Sequence, residues 1–438
     1  MYLKREIDQI LIDWRRQSKR KPLLLRGARQ VGKTRTVREL GKSFEHYIEI
    51  NFEESQSIHA LFEDSLSPQD LIENLTAVFN TSIRPGKTLI FFDEIQACIP
   101  AIRSLRFFAE KMPDLHLIAA GSLLEFALEE IPSFGVGRIR SMFMYPMSFD
   151  EFLTAIGENI LLSQKNKASP TQPLAGILHK KLLSYLSKFL MLGGMPEIIL
   201  TYVETKDFSL CNAALDDLIV SFNDDFVKYK KRVPSTRIRE VFDSVVKQAG
   251  SKFVFSKAAT QSNHLQIKEA LNLLVMAGLV IPVIHTAANG LPLGAEVNPK
   301  KQKMLLFDTG IFLRILNLDI SDMLLSNEFS MINKGNVAEQ FIGLEMMKHS
   351  SVFRREQLYY WHREANNSHA EVDYLLVSKG QIVPLEVKAG TKGSMQSLYL
   401  FLKEKKRPYG MRISSENFAR YDKIQVYPLY AVNNLMNA

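Results

Sequence analysis

Cysteine is nearly absent from this chain. Cys98 and Cys211 are the only two in 438 residues, and neither has histidine or cysteine neighbours at metal-ligand spacing, which argues against a disulfide framework and a zinc site. A reducing cytoplasm is the expected setting. Long apolar runs are lacking as well: the most apolar stretch, LLVMAGLVIPVI at 273–284, is too short to span a bilayer. The amino terminus, MYLKREIDQILIDWRRQSKR, is charged throughout and unlike an export signal. Neither export nor membrane insertion is expected. Charge of one sign is not in large excess either. The formal +8 is spread over the chain with basic clusters at 15–21, 228–232 and 403–407, which permits a polyanionic partner without requiring one. Internal repeats and long low-complexity tracts are missing too, so a solenoid and a disordered chain are both disfavoured.

What is present is ordinary globular material, 46% hydrophobic and 23% charged, in a length that suggests roughly two to four domains. From 22 to about 156 short apolar runs alternate with helical patterns, the reading for a largely parallel sheet covered by helices. PLLLRG, HYIEINFEE, TLIFFDE, LHLIAAGS and GRIRSMFMYP are the strand candidates, with helices between them in TRTVRELGKSF and PAIRSLRFFAEKM. SQKNKASPTQP at 163–173 has loop composition and reads as a boundary or insertion. The expected division is 1–156, a helical region 157–233, a segment 234–330 and a strand-rich end 331–438.

The sharpest motif is GARQVGKT at 27–34, which fits G-x-x-x-x-G-K-[ST], follows a strand and opens a helical pattern. Gly27 and Gly32 let the backbone curl so that its N–H groups face phosphate, and the following helix adds its positive dipole end. Lys33 can neutralise the terminal phosphates, and Thr34 can place its hydroxyl on Mg2+. TLIFFDEIQ at 88–96 ends an apolar strand in two acids. Asp93 would hold Mg2+ and Glu94 would polarise the attacking water, a role that mere binding does not need. Ser122, ending LHLIAAGS, is a candidate polar sensor beside the terminal phosphate. Arg138 in FGVGRIR is a candidate charge-stabilising arginine, with a solvated strand-start arginine as the alternative.

GARQVGKT, FFDEIQ, AAGSLLEF, GRIRSMFMYPMSFDEF and LGGMPE together resemble a prokaryotic AAA-type P-loop ATPase family whose members add a carboxyl-terminal domain of unknown function. The resemblance implies an α/β, additional-strand ATPase core over 1–156, with the sensor strand between the P-loop and Walker B strands, and ATP and Mg2+ as its cofactors. It supplies no substrate. A homo-oligomer or another protein partner is compatible with it.

Residues 251–285 read as a short helix, a turn, a second helix from about 264 and a strand beginning near Leu279. That order looks like a winged helix, a unit that can place a helix in a major groove or dock a protein. Lys257, His264, Gln266 and Lys268 are its candidate DNA contacts.

In HAEVDYLLVSKGQIVPLEVKAG at 369–390, Asp373 sits at a strand end, and strand alternation puts Glu386 and Lys388 on one face. The D…ExK pattern resembles the restriction-endonuclease-like nuclease superfamily, although Val372 stands where the motif's name has proline. That resemblance implies a PD-(D/E)xK nuclease-like α/β domain in which Asp373 and Glu386 hold a divalent metal and Lys388 poises water. It also implies Glu339, in a preceding helix, as a further acid, with Gln396 a weaker polar candidate. Solvated strand ends are the plain alternative. Two functions stay open: ATP-regulated DNA binding or cleavage, and an ATP-gated docking module with an inactive nuclease-like domain.

Overall fold

Five short apolar runs build the first part of the chain, and each becomes a strand. The computed structural model describes residues 1–129, 131, 137–228, 233–258, 263–318, 334–363, 370–391 and 393–437. The expected boundary at 330–331, His369, residues 134–136 of FGVGRIR and 229–232 of the second basic cluster lie outside them. The chain divides into two compact units, Met1–Tyr145 with Ser351–Arg355, and Pro146–Ser350 with Glu356–Ala438. The segments read as 157–233, 234–330 and, apart from Ser351–Arg355, 331–438 thus contribute to one unit, joined by 146–156.

In the first unit the strands are β1 (Leu23–Arg26), β2 (His46–Asn51), β3 (Thr88–Asp93), β4 (His116–Ala120) and β5 (Arg140–Phe143). They form one parallel sheet in the order β2-β3-β4-β1-β5. β4 therefore lies between β1 and β3, as an additional-strand core requires. Leu23–Leu25, Leu89–Phe92 and Ile118–Ala120 are fully buried, which is why these strands read as continuous apolar runs with no polar alternation. Beneath the sheet Phe52, Phe62, Phe92 and Phe108 meet edge to face with centroids 5.3 to 6.4 Å apart. Each such pair adds about 0.5–1.5 kcal/mol beyond burial. The register sets Leu25 beside Ala120 and Phe92 beside Ala119, so the loops leaving β1, β3 and β4 emerge together.

The second unit begins with helices. Asn159–Lys167 is helical, so SQKNK continues a helix where loop composition suggested a break. The reason is tertiary: Lys165 is fully buried and ion-paired with Asp150 at 2.6 Å. The expected short helix within 251–285 shrinks to one 3-10 turn at Phe255–Lys257, after a full helix at Ser235–Lys247. The second helix runs His264–Met276, capped by the Asn263 side chain.

A hairpin follows, β6 (Val280–Thr286) with β7 (Val297–Leu306). β6 also pairs in parallel with β8 (Leu358–His362), which pairs with β9 (Glu371–Val372). A five-stranded sheet completes the unit: β10 (Tyr374–Ser378), β11 (Gln381–Val387), β12 (Gly410–Ser414), β14 (Ile424–Pro428) and β13 (Ala419–Tyr421), in that order. The helix Lys334–Lys348 lies against both β7 and β11. Among the described residues no helix is long and apolar enough to cross a membrane.

Candidate nucleotide site and a buried acid cluster

The loop leaving β1 turns through left-handed backbone at Gln30 and Gly32, with φ 63° and 100°. At Gly27 a Cβ would lie 2.1 Å from the Met144 carbonyl oxygen, so the loop fits beside the backbone that follows β5 only as glycine. Arg5 braces the same loop, donating to the Val31 carbonyl at 2.9 Å and the Tyr145 carbonyl at 2.7 Å. Gly32 delivers the chain into the helix Lys33–Gly41.

Lys33 is buried and folds back on its own loop, donating to the carbonyls of Gly27 at 3.0 Å and Ala28 at 2.8 Å. Burial pushes its ammonium down to about 8, against the opposing pull of Glu94 and Asp93. The Thr34 hydroxyl donates to Asp93 at 2.8 Å. Burial raises the Asp93 carboxyl to about 6, the Thr34 bond opposing and the charge of Glu94 adding. A hydroxyl touching a carboxylate is a pair of hard oxygen donors, so Thr34 and Asp93 fit Mg2+.

Glu94 is left-handed at φ 46°, and one oxygen of its carboxylate, Oε2, accepts from three donors. Gln96 donates to it at 2.6 Å, and the Ser122 backbone N–H and hydroxyl each donate at 3.2 Å. Lys33, Thr34, Asp93, Glu94 and Ser122 are thereby gathered where the helix Lys33–Gly41 begins and β3 and β4 end. Arg138 is half-exposed and ion-paired with Glu110 of the helix Ile99–Lys111, not with any group of the loop. Arg5 and Gln96 escaped the sequence reading. Gln96 had a signal, since it lies in the DEIQ run itself, whereas an arginine before the first strand looks like any surface cation.

In the second unit, Asp373 stands between β9 and β10, one residue before the Tyr374 and Leu385 pair. The Val387 N–H donates to its carboxylate at 2.8 Å. Lys388 reaches back to Glu386 at 2.6 Å. From the helix Lys334–Lys348 comes Glu339, whose backbone carbonyl accepts from the Tyr374 hydroxyl at 2.7 Å. Gln396 is exposed at the start of the helix Gln396–Glu404.

Two residues the sequence reading missed complete this cluster. Lys303 of β7, its side chain 2% exposed, meets Glu339 at 2.7 Å, pairs with Glu371, and lies 3.9 Å from Asp373. Its ammonium also sits 5.2 Å from the centre of the Tyr360 ring. Burial raises Glu339 to about 8, with Asp373 and Glu371 adding and Lys303 opposing. Glu386 rises to about 7 through burial and the neighbouring Asp373 charge. Burial also raises Asp373. Glu371 had a signal, lying two residues before Asp373 and so on the same strand face. Lys303 had none, because KKQK presents three interchangeable lysines at the mouth of an apolar strand.

Residues 19–153 match a family model described as an AAA domain. Residues 183–322 and 334–432 match two domains of unknown function, DUF8612 and DUF4143. No curated protein matches the chain. Among solved structures, unliganded Pif1 from Bacteroides sp is similar at 15% identity and a TM-score of 0.22, over 39% of this chain and 48% of that one. The chain thus spans about half the length of that structure, a likeness too slight to carry an argument. The sheet order, the loop and the AAA match define the amino-terminal unit as an AAA-type P-loop NTPase module, a class that binds ATP.

Proposed function

We propose that this chain is a Mg2+-dependent ATP-binding and ATP-hydrolysing protein that acts on nucleic acid through its middle and carboxyl-terminal segments. The observation that carries the ATPase reading is the 2.8 Å bond from Thr34 to Asp93, with Lys33 at the head of the helix and Glu94 just past the end of β3. The triphosphate would lie against the N–H groups of 27–34 at the head of the helix. Lys33 would leave two neutral carbonyls for a phosphate oxygen, whose charge favours the protonated ammonium. Thr34 and Asp93 would hold Mg2+, which supplies charge neutralisation at the bridged phosphates. Glu94 would orient water and take its proton, while Ser122 would turn its hydroxyl to the terminal phosphate.

The nucleic-acid part rests on resemblance and exposure. Lys257, His264, Gln266 and Lys268 are all exposed, on or just before the helix His264–Met276, and the hairpin after it supports the winged-helix likeness. The helix, four strand segments, helix and strand running from 334 to 414 support the nuclease-like one. A second reading, an ATP-gated docking module with an inactive nuclease-like domain, is favoured by Lys303 lying among the acids. Turnover of the full chain with and without a panel of DNA and RNA is the test. ATP turnover that Lys33→Ala abolishes and DNA stimulates is expected, with DNA affinity falling steeply with salt. No turnover above the Lys33→Ala background would sink the ATPase reading. Turnover indifferent to every nucleic acid would favour the docking module.

A further inference from the structure

The acids that resemble a divalent-metal site already have a cation among them. We propose that Lys303 is the resident counter-ion of the Glu339, Glu371 and Asp373 cluster, and that the native chain binds no Mg2+ or Mn2+ there. The inference deepens the second reading above and rests on the nuclease-like view of these acids.

Three observations carry it. The Lys303 ammonium is 2.7 Å from Glu339, paired with Glu371 and 3.9 Å from Asp373. A divalent ion bound at roughly 2.0–2.1 Å to the same oxygens would need that space. Lys303 cannot readily swing away, because its backbone is set in the β6–β7 ladder opposite Val283, its side chain is buried, and the Tyr360 ring covers it. A metal placed elsewhere in the cluster would face a like charge a few ångströms off. The remaining acid, Glu386, is 5% exposed, spends one oxygen on Lys388 and leaves Oε2 without a hydrogen-bond partner among the described residues. That lone oxygen marks where the cluster is still open, yet a single carboxylate beside an ammonium does not make a divalent site. The acids therefore do not fit the metal their pattern suggests. Lys303 also gives them a different use, since it ties the hairpin strand β7 to the helix Lys334–Lys348 and to β9.

The test is a Mn2+ titration followed by electron paramagnetic resonance. It uses the full chain without nucleotide, carrying Thr34→Ala so that the loop contributes no ligand. The parent is expected to bind no Mn2+ beyond its Asp373→Asn control. Lys303→Met, or Lys303→Gln if the first does not fold, should gain one site roughly tenfold or more above the parent, lost again when Asp373→Asn is added. A Mn2+ bound by the parent and removed by Asp373→Asn would overturn the inference. So would a folded Lys303→Met protein that gains nothing. None of these outcomes depends on ATP turnover or nucleic-acid binding, so a failure here is distinguishable from a failure of the function proposed above.

Discussion

Lys33 and Lys303 are both buried lysines at the mouth of an acid-bearing sheet, one in each unit, and their surroundings give them opposite behaviour. Lys33 donates its hydrogen bonds among the described residues to the neutral carbonyls of Gly27 and Ala28, and burial takes its ammonium down to about 8 despite the more distant pull of Glu94 and Asp93. Lys303 suffers the same burial, but Glu339, Glu371 and Asp373 outweigh it and hold its proton well above the ordinary range. Burial alone thus does not tell what a lysine is for. One whose hydrogen-bond partners are neutral keeps its charge only partly compensated until an anion arrives. One ringed by carboxylates already has its anions and serves the fold.

The largest expected contrast follows directly. Lys33→Ala should lower ATP turnover by at least about 10³-fold and shift the urea midpoint little, because only carbonyl contacts are lost. Stopped turnover together with a collapsed midpoint would show Lys33 to be structural. Glu94→Gln should keep ATP binding while slowing turnover about 10²-fold or more, since the amide fills the space but is a poor base. Loss of binding along with turnover would assign Glu94 to the architecture instead. Lys303→Ala inverts the pattern. It should cost the second unit about 3–5 kcal/mol in urea above pH 8, where Glu339 as well as its neighbours is ionised and would be stranded. An unchanged midpoint would remove the contrast altogether.

The next effect sharpens the comparison within one helix. Glu339 and Glu345 lie on the same helix, yet Glu339 is pushed up to about 8 while Glu345 is drawn down to about 2. Glu345 is fully buried, which disfavours its charge, but Lys348 at 3.0 Å, His349 and the Phe149 N–H at 3.0 Å outweigh that burial. A depressed folded pKa contributes stability above the unfolded value near 4.5, lost as pH falls toward 2. A raised one contributes stability below 4.5, lost as pH climbs through 8. Glu345→Gln should therefore cost on the order of 3 kcal/mol at pH 7 and little at pH 2. Glu339→Gln should flatten the decline between pH 4.5 and 8. Parallel pH profiles for the two variants would show that their surroundings do not separate them.

How far each site could be read from sequence follows the same line. The nucleotide pocket is contiguous and lies on turns that need particular residues. Gly27 has no room for a Cβ, Lys33 and Thr34 open one helix, and Asp93 and Glu94 end one strand, so pattern and geometry coincide. The acid cluster is assembled from β7, a helix and three strand ends. Alternation could place Glu386 beside Lys388, but nothing local announced that Lys303, and not Lys300 or Lys301, turns inward. The 163–167 segment misread as loop has a similar origin, because the buried pairing of Lys165 with Asp150 in the preceding helix is a packing contact that loop-like composition does not show. Arg138 stayed open for another reason. Its described partner, Glu110, is surface chemistry, and a role on a second subunit is not written in one chain.

The smallest effect concerns Ser122. Its hydroxyl is one of three donors to Glu94, at 3.2 Å, beside its own backbone N–H and the shorter Gln96 bond. Removing it leaves the carboxylate still held, so neither ATP binding nor the urea midpoint of Ser122→Ala should move by more than about 1 kcal/mol. Its second role is different. In the sensor role proposed above, the hydroxyl would leave Glu94 Oε2 for the terminal phosphate when ATP is in place, freeing that oxygen of one of its three donors. Losing that exchange should lower kcat by roughly fivefold while KM stays near its parent value, a difference of about 1 kcal/mol in the barrier. A kcat that rises instead would mean that Ser122 mainly restrains Glu94, and that the pocket, like the acid cluster, is held in check by a contact of its own.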